Sequence, residues 1–200
     1  LLLPLVGRLV SKFDPRPLIA FGFLVLSVSL LYMTTHLDPL IDFKTAMLLR
    51  VFQSVGMAFL FVPINTLVYS GVPLEKNNAV SGIVNLSRNM GGDVGIAFVT
   101  TYIARRSQTH QAYLAAHTTS YDAPFQTKLK ALAAAMEHAG ASAVDASHKA
   151  MAALYGQLFQ QSATLAYLDA LRALGIATAL MVPLLLLTEK PKAGGAPGGH

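Results

Sequence analysis

The sequence predicts an all-helical protein that crosses a membrane several times, and three observations lead to this fold class. Of the 200 residues, 54% are hydrophobic and only 12% are charged, whereas a soluble domain is typically about 25% charged. Four stretches are apolar over the roughly 20 residues that a helix needs to cross a bilayer core. One of these stretches contains no charged residue, and a soluble fold of this length could scarcely cover such a helix on every side.

The predicted elements follow one another with short connections, apart from one long segment. Residues 1–10 have neither the basic start nor the cleavage site of a signal peptide, so we interpret them as the end of a truncated helix that begins upstream. A loop at 7–17 leads into the uncharged span. The predicted membrane spans cover residues 17–35, 45–71, 79–104 and 164–188.

Lysine and arginine in the short loops predict the orientation of the spans. The loops 7–17 and 72–78 and the tail 189–200 would lie on one side of the membrane, and together they hold Arg8, Lys12, Arg16, Lys76, Lys190 and Lys192. In the loop 36–44 on the other side, Lys44 is the one lysine or arginine. Because basic loops stay inside, the carboxyl terminus is predicted to be a flexible cytoplasmic tail. Arg105 and Arg106 lie on the predicted outer side and weaken the bias.

Residues 105–163 form the long segment, and their spacing predicts an external helical hairpin at 107–160. Four apolar residues recur at helical spacing, namely Phe125, Leu129, Leu132 and Met136. Gly140 is placed to end that helix. The stretch "SAVD" at 142–145 has the pattern of a capping box. The helix that it opens would run into the last span.

Three stretches resemble one family of membrane proteins. "GRLVSKFDPRPLI" resembles the cytoplasmic signature loop of the major facilitator superfamily, with Gly7, Arg8, Lys12, Asp14 and Arg16 at the motif positions. "RVFQSVGMAFLFVP" is similar to a helix of its drug:proton antiporters, and "NAVSGIVNLSRNMGGDVGIAF" looks like the penultimate helix of fourteen-span exporters of the EmrB/QacA type. The outer segment, an Asp in the last span and the glycine-rich tail resemble the EmrB branch.

The resemblance implies both a fold and a function. The chain would be the C-terminal part of a major facilitator superfamily helical bundle in the plasma (inner) membrane, with the remaining helices upstream. Such transporters export lipophilic drug-like compounds in exchange for protons, by alternating access of two bundles. The resemblance also implies a periplasmic adaptor protein and an outer-membrane channel as partners. The alternatives are an exporter or uniporter of a single metabolite and a membrane scaffold without transport.

Asp93 and Arg50 are candidates for proton coupling. Counting about 1.5 Å per residue from the ends of their spans, both lie roughly 8 to 9 Å from the outer edge of the bilayer core. We expect them to pair, and protonation of Asp93 would break the pair and couple proton entry to a change of state. The alternatives are a fixed ion pair and an Asp93 that faces external water.

A second group of polar residues is predicted to face the protein interior. Arg88 lies roughly 13 Å into its span, near the midplane, and needs a polar partner. Asn85 shares its helical face. On the preceding span, Gln53 lies one turn from Arg50, and Asn65 follows the helix-interrupting Pro63. Their predicted role is contact with a cavity or between bundles, and the alternative is helix packing.

Small residues predict where helices approach closely. Gly91 and Gly95 form a G-x-x-x-G pair, and Ser54 and Ala58 form a weaker version. Packing is the favoured role for both pairs.

No catalytic group, cofactor, metal or nucleic acid is predicted. The chain has no cysteine, no phosphate-binding loop and no serine with an adjacent base, so an enzyme is not indicated. The basic residues are scattered, which argues against nucleic acid. Four histidines lack ligand spacing and are interpreted as solvated, namely His110, His117, His138 and His148. Asp169 and Arg172, three residues apart at the start of the last span, are expected to form an interfacial pair.

Overall fold

The described part of the chain is almost entirely helical, which confirms the predicted all-α class. A computed structural model describes residues 2–36, 42–70, 72–116, 118 and 122–187. No strand occurs in these ranges. The helices are α1 (Leu2–Lys12), α2 (Pro15–His36), α3 (Phe43–Tyr69), α4 (Asn77–Ala116), α5 (Ala123–His138) and α6 (Ala143–Leu186), with a short 3₁₀ turn at Leu74–Lys76 before α4.

Three of these helices are long and apolar enough to cross a membrane. They are α2, α3 and α6, and they contain the predicted span 17–35 and most of the predicted spans 45–71 and 164–188. Helix α4 contains the predicted span 79–104 but does not meet the same requirement of length and composition. The reason is its polar content, since Arg88 and Asp93 stand there among several asparagines and serines. Helix α4 also continues through Ala116, beyond the predicted end at 104.

The predicted signature loop 7–17 is largely helical, which corrects that expectation. Residues 7–12 belong to α1, and only Phe13 and Asp14 separate it from α2. Pro15 begins α2, where its missing N–H costs no helical hydrogen bond. A proline also disfavours helical geometry at the residue before it, so the break falls at Asp14. Most of the predicted loop 36–44 and all of the tail 189–200 lie outside the described residues.

The chain divides into two compact units, and the first contains residues 1–96 and 171–200. In this unit α2 and α1 each pack against α3. Helices α2 and α3 approach closely because glycines meet there: a Cβ on Gly56 would lie 3.0 Å from the backbone nitrogen of Leu26. The Oγ of Ser27 on α2 donates a buried hydrogen bond of 2.8 Å to the carbonyl of Gly175 on α6. Small residues thus bring these helices into contact.

The second unit contains residues 97–170. Helix α5 lies where the apolar spacing predicts a helix, and Gly140 follows it with a φ of 96°, in the left-handed region that ends helices. Ser142 caps α6, because its Oγ accepts a 3.3 Å hydrogen bond from the backbone N–H of Asp145. Helix α6 then runs without a break to Leu186. The predicted hairpin and the predicted last span therefore share one helix.

Candidate functional site

Arg88 is held between two groups of α3, which makes it the centre of the candidate site. Its Nη2 donates a hydrogen bond of 3.2 Å to Oδ1 of Asn65. Its guanidinium carbon lies 5.2 Å from the centroid of the Phe61 ring, within the range of a cation–π contact. The structure therefore brings together two of the residues predicted to make polar contacts, Arg88 and Asn65.

Helix α3 orients Asn65 through a second hydrogen bond. The Nδ2 of Asn65 donates to the carbonyl of Phe61 at 2.7 Å, four residues earlier. Since the amide nitrogen is engaged with its own helix, the amide oxygen is left to accept from α4. Pro63 lies inside this part of α3 and is buried. A proline removes one backbone donor from a helix, so this turn has less internal hydrogen bonding than its neighbours.

A small apolar cleft adjoins Arg88 in the same unit. It has a volume of about 230 Å³, and its lining residues are Leu26, Met57, Leu60, Phe61, Ile64, Asn65 and Arg88. Among the described residues, no carboxylate forms an ion pair with Arg88. The site thus consists of one cation and one amide beside an apolar wall. A second cleft of about 530 Å³ lies between α2 and α3, with Val28, Tyr32, Leu48 and Phe52 in its lining.

Arg50 and Asp93 do not form the expected ion pair in the part of the chain that the structure describes. The Nη1 of Arg50 donates instead to Oε1 of Gln53 at 3.1 Å. This contact joins residues three apart on one helical face, a spacing at which side chains meet without any help from tertiary packing. Asp93 is exposed on α4, a helix with no buried residue. Its role in proton coupling therefore remains a prediction.

Most of the remaining predicted residues are exposed. Asn85 is exposed, one turn before Arg88. A Cβ added at Gly91 or Gly95 would meet no heavy atom within 4 Å, so their packing role also remains a prediction. Ser54 is exposed, and its hydroxyl donates to the carbonyl of Arg50 at 2.8 Å. Ala58 is half-buried.

The close helix contacts use glycines that the sequence interpretation did not single out. They are Gly22, Gly56 and Gly175, at each of which an added Cβ would come within 3.0 Å of another helix. Gly56 ends the stretch "RVFQSVG", so that motif was an available signal. Gly22 and Gly175 stand alone in apolar stretches and gave no pattern.

A cluster around Asp169 was also missed. The carboxylate oxygen Oδ2 of Asp169 lies 2.6 Å from Nη2 of Arg106 and accepts a bond of 2.7 Å from its Nε. The Nε2 of His110 lies 2.7 Å from the same oxygen. His110 is therefore part of a half-buried network, although it was interpreted as solvated. Arg106 and His110 are four residues apart on one face of α4, a spacing that could have revealed the pair.

No cluster of three potential metal ligands occurs among the residues that the structure describes. His117 lies outside those residues. No solved structure matches the chain.

Comparison with known proteins identifies the family. The probable multidrug resistance protein EmrY of Escherichia coli (strain K12) is 32% identical over 64% of this chain and 25% of its own length. The multidrug export protein EmrB of the same organism is 30% identical over 74% of this chain and 28% of its own length. The fatty acid resistance protein FarB of Neisseria gonorrhoeae is 27% identical over 98% of this chain and 37% of its own length.

This chain thus spans about a quarter of the length of the two Escherichia coli relatives. A family model described as Major Facilitator Superfamily matches residues 1–118, more than half of the chain. The match and the three long apolar helices indicate a multi-pass membrane protein. The chain belongs to the Major Facilitator Superfamily.

Proposed function

We propose that the chain is the C-terminal part of a transporter that exports lipophilic compounds in exchange for protons, by alternating access of two helical bundles. The observation that carries this proposal is the contact of Arg88 with Asn65 and Phe61 across α3 and α4. Ionisable groups within membrane helices are costly, and they commonly mark a substrate or ion pathway. The names of EmrB and EmrY refer to multidrug export or resistance, and that of FarB to fatty acid resistance.

The cleft beside Arg88 suits substrates that share little besides lipophilicity. Apolar walls such as Met57, Leu60 and Ile64 bind through buried area and make few demands on shape. A single guanidinium held over a ring supplies one fixed polar anchor, which orients a ligand without selecting one structure. The alternative role of Arg88, contact between the two bundles, uses the same residues. Dye affinity and maximal rate of efflux distinguish it from substrate binding.

The proposed export is measured on the complete gene product in reconstituted vesicles, as efflux of a lipophilic anionic dye driven by a pH gradient. We expect Arg88→Gln to reduce the apparent affinity for the dye about tenfold, which corresponds to roughly 1.4 kcal/mol of lost interaction. Arg105→Gln is the matched control, because Arg105 is an exposed arginine of the same helix. An Arg88 variant with unchanged dye affinity and a lower maximal rate would favour the role between bundles.

The alternatives predict other outcomes of the same assay. Transport of one metabolite without dye efflux would identify a single-substrate exporter or uniporter. A gene product that moves no solute under a pH gradient or an electrical gradient would fit a membrane scaffold, and it would end the transport proposal.

Asp93 is the proposed proton acceptor within the spans. It is the acidic residue of α4, and its side chain is exposed on a helix without buried residues. In the complete protein, Asp93→Asn should abolish acceleration of dye efflux by a pH gradient while dye binding persists. Full gradient-driven efflux by this variant would remove Asp93 from the coupling mechanism.

The proposed location is the plasma (inner) membrane, with the basic loops and the carboxyl terminus in the cytoplasm. Residues 105–163 would then lie outside, where an adaptor protein is the proposed partner. Tyr155 and Phe159 support that surface, since they are four residues apart on α6 and 64% and 56% exposed. Exposed aromatic residues of this kind are common anchors of protein interfaces.

Adaptor binding is tested by co-purification of the complete transporter with its adaptor. The double variant Tyr155→Glu, Phe159→Glu should lose most of the captured adaptor, while Lys149→Glu, an exposed change on the same helix, should retain it. Undiminished capture by the double variant would contradict this contact surface.

A further inference from the structure

The second unit contains a cluster of ionisable side chains that the proposed function does not use. Arg106 and His110 come from α4, and Asp169 comes from α6, 63 and 59 residues away along the chain. Three contacts converge on one carboxylate oxygen of Asp169, at 2.6 to 2.7 Å. The side chains of Asp169, His110 and Arg106 are 15%, 22% and 39% exposed. The cluster is therefore partly enclosed and still reached by water.

We propose that Arg106 and His110, in the segment predicted to lie outside the membrane, form a proton-binding site of the transporter together with Asp169, at the start of the predicted last span. This inference rests on the proposed proton-coupled function and adds a second titrating group beside Asp93. Histidine is suited to the role because its ordinary pKa, about 6.5, lies close to the pH of an outer compartment.

The hydrogen bonds indicate which atom takes up the proton. An ionised carboxylate has only acceptors, so the Nε2 of His110 must carry a hydrogen to bond Asp169. The tautomer follows from the network in this way. The lone pair of the neutral ring then lies on Nδ1, which accepts a proton from hydronium and leaves a water molecule. The Nε2–H bond to Asp169 is kept in both states, and release returns the proton from Nδ1 to water.

Proton binding changes the charge of the contact between α4 and α6. With a neutral imidazole, the Asp169 carboxylate faces the guanidinium of Arg106 on α4. Protonation of His110 adds a second positive charge from α4 at the same carboxylate oxygen. Because water screens this enclosed cluster less than it screens a surface pair, the interaction between the two helices depends on the protonation state. A structural ion pair without this function would hold the helices together equally in both states.

The test uses the complete transporter in proteoliposomes, with dye efflux measured from about pH 5.5 to 8 while the pH difference is held constant. His110→Gln keeps an N–H donor toward Asp169 but cannot bind a proton, and His110→Lys carries a permanent charge. The matched control is His148→Gln, an exposed histidine of α6 in the same unit. The melting temperature of each variant reports whether it is folded.

The wild-type rate should change about tenfold per pH unit on the alkaline side of a single titration. Both His110 variants should flatten this profile to less than about a twofold change over the same interval, and His148→Gln should keep the wild-type shape. Asp169→Asn removes the attraction for the imidazolium, so the midpoint of the dependence of dye efflux on pH should move to lower pH. A merely structural pair would not move a midpoint.

Two outcomes would overturn the inference, and they are distinguishable. If the wild type shows pH-driven efflux and His110→Gln lowers the rate by the same factor at every pH, the site does not bind the coupled proton and the proposed function stands. If the wild type shows no pH-driven efflux, the proposed function fails and the inference fails with it.

Discussion

The close approach of α2 and α3 makes Gly56 the position where the smallest change should have a measurable cost. In Gly56→Ala the new Cβ would lie 3.0 Å from the nitrogen of Leu26, 3.2 Å from the carbonyl oxygen of Gly22 and 3.3 Å from the Cα of Leu26. All three neighbours are backbone atoms. They cannot rotate away as a side chain can, so the two helices must separate.

The magnitude follows from a matched control. Gly156 lies inside α6, and a Cβ there would meet no atom within 4 Å. Alanine improves helix propensity by about 0.8–1.0 kcal/mol at both positions, so this gain cancels in the comparison. The difference that remains is the loss of folding free energy through overpacking at Gly56, about 1–3 kcal/mol. For a chain of this length, each kcal/mol corresponds to roughly 2–4 °C in melting temperature.

The assay is thermal unfolding of the purified 200-residue chain in detergent, followed by circular dichroism. Gly156→Ala should melt at a higher temperature than Gly56→Ala, by roughly 2–12 °C. If Gly56→Ala is as stable as Gly156→Ala, the contact between α2 and α3 is not as close as the structure places it, and the reasoning is refuted.

Three further predictions concern individual contacts. Ser27→Ala removes the buried hydrogen bond to Gly175 and should lower the free energy of unfolding by about 0.6 kcal/mol, as measured in detergent. Ser142→Ala removes the cap of α6 at a cost of about 0.5–2 kcal/mol, and the amide of Asp145 should exchange its hydrogen faster. Phe61→Leu removes the ring beneath Arg88 and should cost about 0.5–1 kcal/mol, read as a lower melting temperature.

The contacts of Arg88 and Arg50 show where prediction from sequence succeeds and where it ends. Depth along a helix follows from counting residues, so Arg88 could be assigned to the interior of a span with a need for a polar partner. The same arithmetic placed Arg50 and Asp93 at similar depth and suggested a pair. Depth does not specify how far each helix is rotated or how far apart two helices lie, and in the structure Arg50 bonds to Gln53 instead.

The Asp169 cluster and the glycine contacts have the same explanation. Short spacings on one helix are visible in a sequence, which is why the Gly91–Gly95 pair was favoured. The contacts of Asp169 with Arg106 and His110 join residues from different helices, 63 and 59 residues apart along the chain. Gly22 and Gly56 become a pair only because α2 lies against α3.

The sequence by itself determined the helical class, the family, the membrane environment and the approximate course of the helices. These properties depend on local composition, because a helix satisfies its own backbone hydrogen bonds and a long apolar segment leaves water whatever its neighbours are. The tertiary structure decided which faces meet, and hence that Asn65 and Phe61 hold Arg88 and that His110 reaches Asp169. Such pairings depend on helix rotation and separation, and these are set by side chains that are distant along the chain.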